Sequence, residues 1–198
     1  MCAGFARSLA HKNFKTAAVQ KMWLIFFSSI AVASFTGGSV HGFFLDESSV
    51  GFKILWPLTL LSIGITASAA WVLVGLFAFG QKALKPSIIF SSACFLIYSI
   101  VVLAFSQNFL VVIVNYMPPI LLLFFTAIKE FRRTKLKSYT WIAIGIAISL
   151  LAAYFQQAKI AIHPQYFTHN STYHLIQAFG LASLFYGASG LTHAEWNS

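Results

Sequence analysis

Charge is scarce in this chain. Of 198 residues only 9% are Asp, Glu, Lys or Arg, only four residues are acidic, and 59% are hydrophobic. A water-exposed domain carries about 25% charged residues, so too few are present to cover a soluble globule, and lipid is the solvent for most of the chain. Cysteine is scarcer still. Cys2 and Cys94 are the only two; they support neither a disulfide framework nor a cysteine-based metal motif. No apolar stretch precedes Cys2, as a lipoprotein site requires. The first hydrophobic run lacks the short length and small-residue cleavage site of a secretory signal, and is expected to stay in the protein.

What is abundant is hydrophobic length. A helix needs about 20 residues to cross a hydrocarbon core of roughly 30 Å at 1.5 Å per residue. Six stretches meet that need: Trp23 to Leu45, Ile54 to Phe79, Ser87 to Phe105, Phe109 to Ile128, Tyr139 to Gln156, and Ser171 to Leu191. The expected fold is all-α, a polytopic bundle of six transmembrane helices. Residues 1–21 form a cytoplasmic N-terminal segment, 22–191 a single transmembrane domain, and 192–198 a short cytoplasmic tail. Phe5 to Val19 fits an amphipathic helix lying on an anionic inner leaflet. A seventh crossing would require that segment to insert, which its charges oppose.

Lys and Arg in short loops stay on the cytoplasmic side. Arg7, Lys12, Lys15, Lys21, Lys82, Lys85, Lys129, Arg132, Arg133, Lys135 and Lys137 fall on one side of this topology, and only Lys53 and Lys159 on the other. Both termini are therefore expected inside, in a cytoplasmic membrane of bacterial type. The net charge of +9 is a cytoplasmic basic collar and calls for no nucleic acid; the expected partners are membrane lipids and a lipid substrate or ligand, with the oligomeric state open.

Topology makes the histidines informative. His41 lies near the outer end of the first span, Asp46 follows in the first outer loop, and His163, His169 and His174 occupy the last outer loop and the start of the sixth span. His11 and His193 are cytoplasmic and stand apart, and His163 reads as an interfacial loop residue. Positions three, four and seven apart share a helix face, so Ser34, Gly37, Gly38 and His41 form a stripe expected to face a neighbouring helix. Asn170, His174 and Gln177 share a face of the sixth span. His169 is about 140° away from His174 on an ideal helix and joins it only from a non-helical turn; Asn170, Ser171 and Thr172 are N-cap types that would start the helix after it. Asn108 and Asn115 share a face of the fourth span, ahead of an expected break at Pro118-Pro119. A polar cavity in the outer half of the bundle, with Ser34, Asn115, Asn170 and Gln177 as supporting groups, accounts for these residues. Imidazoles with a nearby carboxylate are the ligands zinc prefers, and three protein ligands with an open position activate water.

The run Thr168-His169-Asn170-Ser171-Thr172-Tyr173-His174-Leu175-Ile176-Gln177, with Ser39-Val40-His41-Gly42 and Asp46, resembles the superfamily of alkaline ceramidases, progestin and adiponectin receptors and Per1-like proteins. The resemblance implies a membrane-embedded zinc hydrolase with one histidine from an early helix, two from the last, and an accompanying serine and aspartate. The chain departs from that pattern where Gly37 replaces the serine four residues before the early histidine, leaving Ser34 and Ser39 nearby. It departs again where Asn170 replaces the first histidine of the last-helix pair. The expected site is thus zinc on His41, His169 and His174, with Asp46 and Ser39 as catalytic groups, cleaving a lipid amide or ester near the outer face. Bound zinc would bring the pKa of water from about 15.7 to about 7. The competing readings are a lipid- or metal-binding sensor, chaperone or receptor-like protein, a b-type haem protein holding its iron between His41 and His174, and a transporter.

Overall fold

The computed structural model describes residues 1–10, 17–163 and 168–191; His11, His193 and the 192–198 tail lie outside them. The regular elements are helical: α1 (Cys2–Ala10), α2 (Ala17–Phe43), α3 (Val50–Phe79), a 3-10 turn (Gln81–Ala83), α4 (Leu84–Ala104), α5 (Phe109–Thr134), α6 (Lys137–Gln157) and α7 (His169–Gly190). Helices α2 to α6, with α4 taken together with its 3-10 lead-in, are long and apolar enough to cross a bilayer. The protein is an all-α polytopic membrane protein. Helix α7 has the length, 22 residues, but His169, Asn170, His174 and Gln177 dilute its apolar character, and it falls outside those five. Phe35, Phe79, Leu96, Ile97 and Phe125 project from the helices fully or largely exposed. That is a liability in water and the ordinary state of a helix in lipid.

The chain forms two compact units, residues 1–123 and 124–198. In the first, α1 packs on α2, α2 on α3, and α3 on α4. Cys2, Ala6 and Leu9, one face of α1, are buried, Phe5 meets Phe27 edge-on at 5.6 Å, and Gln20 donates to the Leu9 carbonyl at 2.9 Å. The apolar face that looked suited to a lipid surface is covered by α2. The α2–α3 contact is polar at two levels: Ser29 Oγ lies 2.7 Å from Thr66 Oγ1, and Thr36 Oγ1 lies 2.8 Å from Thr59 Oγ1. Such bonds within membranes contribute about 0.6 kcal/mol on average, so they set register more than they supply stability. On α3, Gly64 leaves room for the Tyr98 ring, and the Tyr98 hydroxyl donates to the Leu60 carbonyl at 2.8 Å.

Helix α5 runs unbroken through Pro118 and Pro119, where a break was expected. Proline removes a helical hydrogen bond and crowds the preceding turn, but membrane helices accommodate it because local adjustment and neighbouring groups satisfy the freed carbonyls. Helix α3 likewise continues through Pro57.

In the second unit α6 and α7 are joined by a seam of small residues. A methyl group on Gly145 would come within 2.7 Å of the Gly180 carbonyl oxygen, and one on Gly187 within 2.7 Å of the Ser138 carbonyl oxygen. Ser138, Ile142, Gly145 and Ser149 recur at helical spacing and face Gly180, Leu184 and Gly187. With no hydrophobic effect between helices in lipid, this close backbone approach supplies the dispersion contact that holds the pair. Gly180→Leu is expected to destabilise the protein by about 1–3 kcal/mol or more through overpacking, since a Cβ there meets Ser149 Oγ at 2.6 Å. Gly38→Ala, with nothing within 4 Å, should instead be neutral or stabilising by up to about 1 kcal/mol. Unfolding of both variants in detergent, followed by circular dichroism, checks the contrast.

Candidate functional site

The outer-end residues of the first unit do not converge. His41 is exposed on the last turns of α2, its ring edge-on to Trp56 at 6.1 Å. Trp56 is the hub at this end: it stacks on Phe52 at 5.9 Å, lies 6.5 Å from Phe109, and its Nε1 donates to the Gln107 carbonyl at 3.1 Å. An indole with an apolar body and one satisfied polar tip is suited to a membrane interface, and His41 belongs to that aromatic set. Sequence reasoning passed over Trp56; its place as the seventh residue of α3, beyond a polar loop, was the available signal.

Asp46 caps its own loop. Its Oδ1 accepts from the Ser48 backbone N–H and its Oδ2 from the Ser48 hydroxyl, both at 2.8 Å, while Ser49 caps α3 by accepting from Phe52 N–H at 3.2 Å. Ser39 donates to the Phe35 carbonyl one turn back, at 2.8 Å, the resting arrangement of a helical serine. The inward face of α2 is rotated from the expected stripe. Ser29, Ala33, Thr36, Gly37 and Val40 are buried, whereas Ser34, Gly38 and His41 are exposed, because the hydroxyl pairs to α3 orient the helix. Asn108 Oδ1 accepts from Leu110 N–H at 2.8 Å and so caps α5; Asn115 is half-buried one face-repeat on.

In the second unit α7 begins one residue earlier than expected. Thr168 is the N-cap in extended conformation, and the Thr172 N–H bonds back to its carbonyl at 2.9 Å. His169 is therefore already helical, and the turn that would have bent its ring toward His174 does not exist. His174 is exposed and packs on Tyr173 at 4.8 Å. Helix α7 also carries Asn170, whose side chain is outside the described set. The buried polar group at this end is Thr172, which accepts from Ile162 N–H at 3.2 Å. Gln177 turns to α6, donating to Ser149 Oγ at 3.2 Å.

Among the described residues no three His, Cys, Asp or Glu side chains gather into a group able to hold a metal ion. This overturns the expected zinc centre of His41, His169 and His174, and with it the zinc-dependent lipid amidase or esterase and the ceramidase-like hydrolase built upon that cofactor. The physical reasons are local. His169 and His174 diverge around one helix, His41 is committed to an aromatic contact, and both Asp46 oxygens are occupied by Ser48.

A different feature stands out where α5 passes into α6. Phe131, Lys135, Lys137, Thr140, Trp141 and Ile144 line an open groove of about 410 Å³ whose wall is almost wholly apolar. Thr140 Oγ1 is buried there with no hydrogen-bond partner. Glu130, itself buried, takes Arg133 through Nε at 3.0 Å and Nη2 at 2.6 Å. That is the only ion pair among the described residues, so Lys135 and Lys137 stand at the groove without an acidic partner. The basic run was legible in sequence as a topology marker; the groove was not, because it depends on how α6 leaves the turn.

The Ser48 backbone N–H and then its hydroxyl hold the Asp46 carboxyl below the ordinary aspartate range, against desolvation and with a smaller contribution from Lys53. A lowered folded pKa means that the stability from this carboxylate is present above the ordinary range and is lost as pH falls through the folded value. Asp46→Ala should therefore lower the unfolding temperature slightly at neutral pH, and the difference from wild type should shrink as the pH falls below the ordinary aspartate range. Thermal unfolding at neutral and at acidic pH is the check.

Neither the curated proteins nor the solved structures compared with this chain give a match. A family profile matches residues 1–193, nearly the whole chain. The protein belongs to that family, the family of unknown function DUF6962.

Proposed function

We propose that this is a lipid-binding integral membrane protein whose recognition element is the groove lined by Phe131, Thr140, Trp141 and Ile144. The observation that carries the reading is the character of that groove: an apolar trough on a membrane-spanning helix, open at its side and bounded at one end by lysines. Such a trough would admit an acyl chain as lipid does, by dispersion contact, and exclude water. In this reading the chain crosses the membrane six times, with α7 held as the sixth crossing by its small-residue seam with α6. Both termini lie in the cytoplasm of a bacterial-type inner membrane, which the eleven-to-two distribution of basic residues supports. The likeness to the ceramidase superfamily enters only as a shared helical membrane architecture. His41, Asp46, His169 and His174 then mark the extracytoplasmic interface and have no part in bond cleavage.

Two measurements test the reading. Filling the trough with Ile144→Trp should reduce the lipid retained through detergent purification, read by native mass spectrometry. Phe125→Trp, at an exposed position, should not; equal retention in both variants would refute the groove. For topology, Cys2 and Cys94 are first replaced by serine. A cysteine at position 48 should then react with a membrane-impermeant thiol reagent on intact cells, and one at position 135 only after permeabilisation. The reverse pattern would invert the assignment.

A further inference from the structure

We infer that the lipid held in this groove is an anionic phospholipid of the cytoplasmic leaflet, its phosphate facing Lys135 and Lys137. The inference rests on the lipid-binding reading above and names the chemistry that the same groove selects.

The charge inventory of the second unit is one-sided. Glu130 is the only acidic residue among its described residues and is already taken by Arg133. Among the described residues of the unit, Lys129, Arg132, Lys135 and Lys137 have no carboxylate left to neutralise them, so anions of the surroundings are drawn to them. At the cytoplasmic surface of a membrane the abundant anions are phospholipid headgroups, and basic residues at that depth attract them.

Geometry directs the charge to the groove. Helix α5 ends with Lys135 at φ 61°, its N–H bonded to the Phe131 carbonyl at 2.8 Å. This left-handed helix cap favours glycine. It turns the chain at once into α6, so that Lys135 and Lys137 flank Leu136 at the mouth of the trough. Leu136 is the N-cap of α6 and offers no side-chain acceptor, so the positive end of the helix dipole lies beside the two lysines, where negative charge is favoured. Depth is marked by Trp141, which packs edge-on against Tyr186 at 5.1 Å; paired aromatics with polar tips belong at headgroup level. Ile144 lies one turn deeper, where an acyl chain begins.

Thr140 adds a polar contact between these levels. Thr36, Thr59, Ser62, Thr66, Ser68, Ser99, Ser149 and Thr172 all donate to the carbonyl four residues back. Thr140 lines the groove and makes no such bond. Its hydroxyl is screened at rest, and rotation about χ1 would present it to the ester oxygens that join headgroup to chain.

The test is a lipid titration of the full-length protein in detergent at low salt, read by native mass spectrometry, with phosphatidylglycerol and phosphatidylcholine of matched chains. Wild type should bind phosphatidylglycerol more tightly. A basic residue near the surface is worth about fivefold in affinity, so Lys135→Gln with Lys137→Gln should weaken phosphatidylglycerol binding by roughly thirtyfold and leave phosphatidylcholine binding nearly unchanged. Lys159→Gln is the charge control: Lys159 is exposed beyond the far end of α6, also at positive φ, and its loss should change neither lipid. Circular dichroism of each variant confirms that the helices persist. Equal loss in the Lys159→Gln variant would make the attraction a property of net charge and overturn the inference. Equal binding of both lipids by wild type would overturn the anionic preference and leave the groove as a lipid site. Binding of neither lipid would overturn both.

Discussion

In hydrocarbon a polar group has no water to fall back on. Backbone amides are therefore closed within each helix, and side-chain hydroxyls either bond to the preceding turn or meet one another between helices. The rest of this structure depends on that constraint. Many of the described helical serines and threonines, Thr36, Thr59, Ser62, Thr66 and Ser149 among them, donate to a carbonyl one turn back. Where two such hydroxyls also face each other, at Ser29 with Thr66 and at Thr36 with Thr59, they fix how α2 sits on α3. The rotation of α2 follows from those two pairs, and the rotation in turn leaves Ser34 and His41 on the outside.

The second unit solves the same problem differently. Helix α7 begins with His169, Asn170, Ser171, Thr172 and His174, a polar opening for a helix of a membrane protein. Gly145, Gly180 and Gly187 let its backbone approach α6 closely enough that dispersion between the two takes over from apolarity. The Gln177 to Ser149 bond lies on that seam. Polar residues that read as the lining of a reaction centre are thereby accounted for as components of helix pairing and capping: Gln177 on the seam, Thr172 on the loop after α6, and Asp46 in the turn before α3.

The zinc expectation failed for a reason of angles. Imidazoles and a carboxylate at one membrane depth satisfy a composition test for a metal site, but coordination needs their lone pairs to converge within a few ångströms. A single residue decided the matter on α7: with Thr168 as the cap, His169 is helical and its ring points well away from that of His174. Likewise Lys135 and Lys137, read first as markers of topology, stand at an apolar trough only because of how the chain turns between them into α6.

Sequence alone determined the class of solvent, the all-α character, and the limits of the membrane helices to within a few residues at most ends. Hydrophobic length and charge scarcity are properties of the chain itself, set by the thickness and dielectric of the bilayer. It also determined which end of each helix carries the basic residues. Tertiary structure decided which face of each helix turns inward, whether the histidines meet, and where an apolar groove remains open. Those depend on pairwise contacts between segments distant in sequence, such as a glycine against a carbonyl or one hydroxyl against another, which helical periodicity alone does not encode.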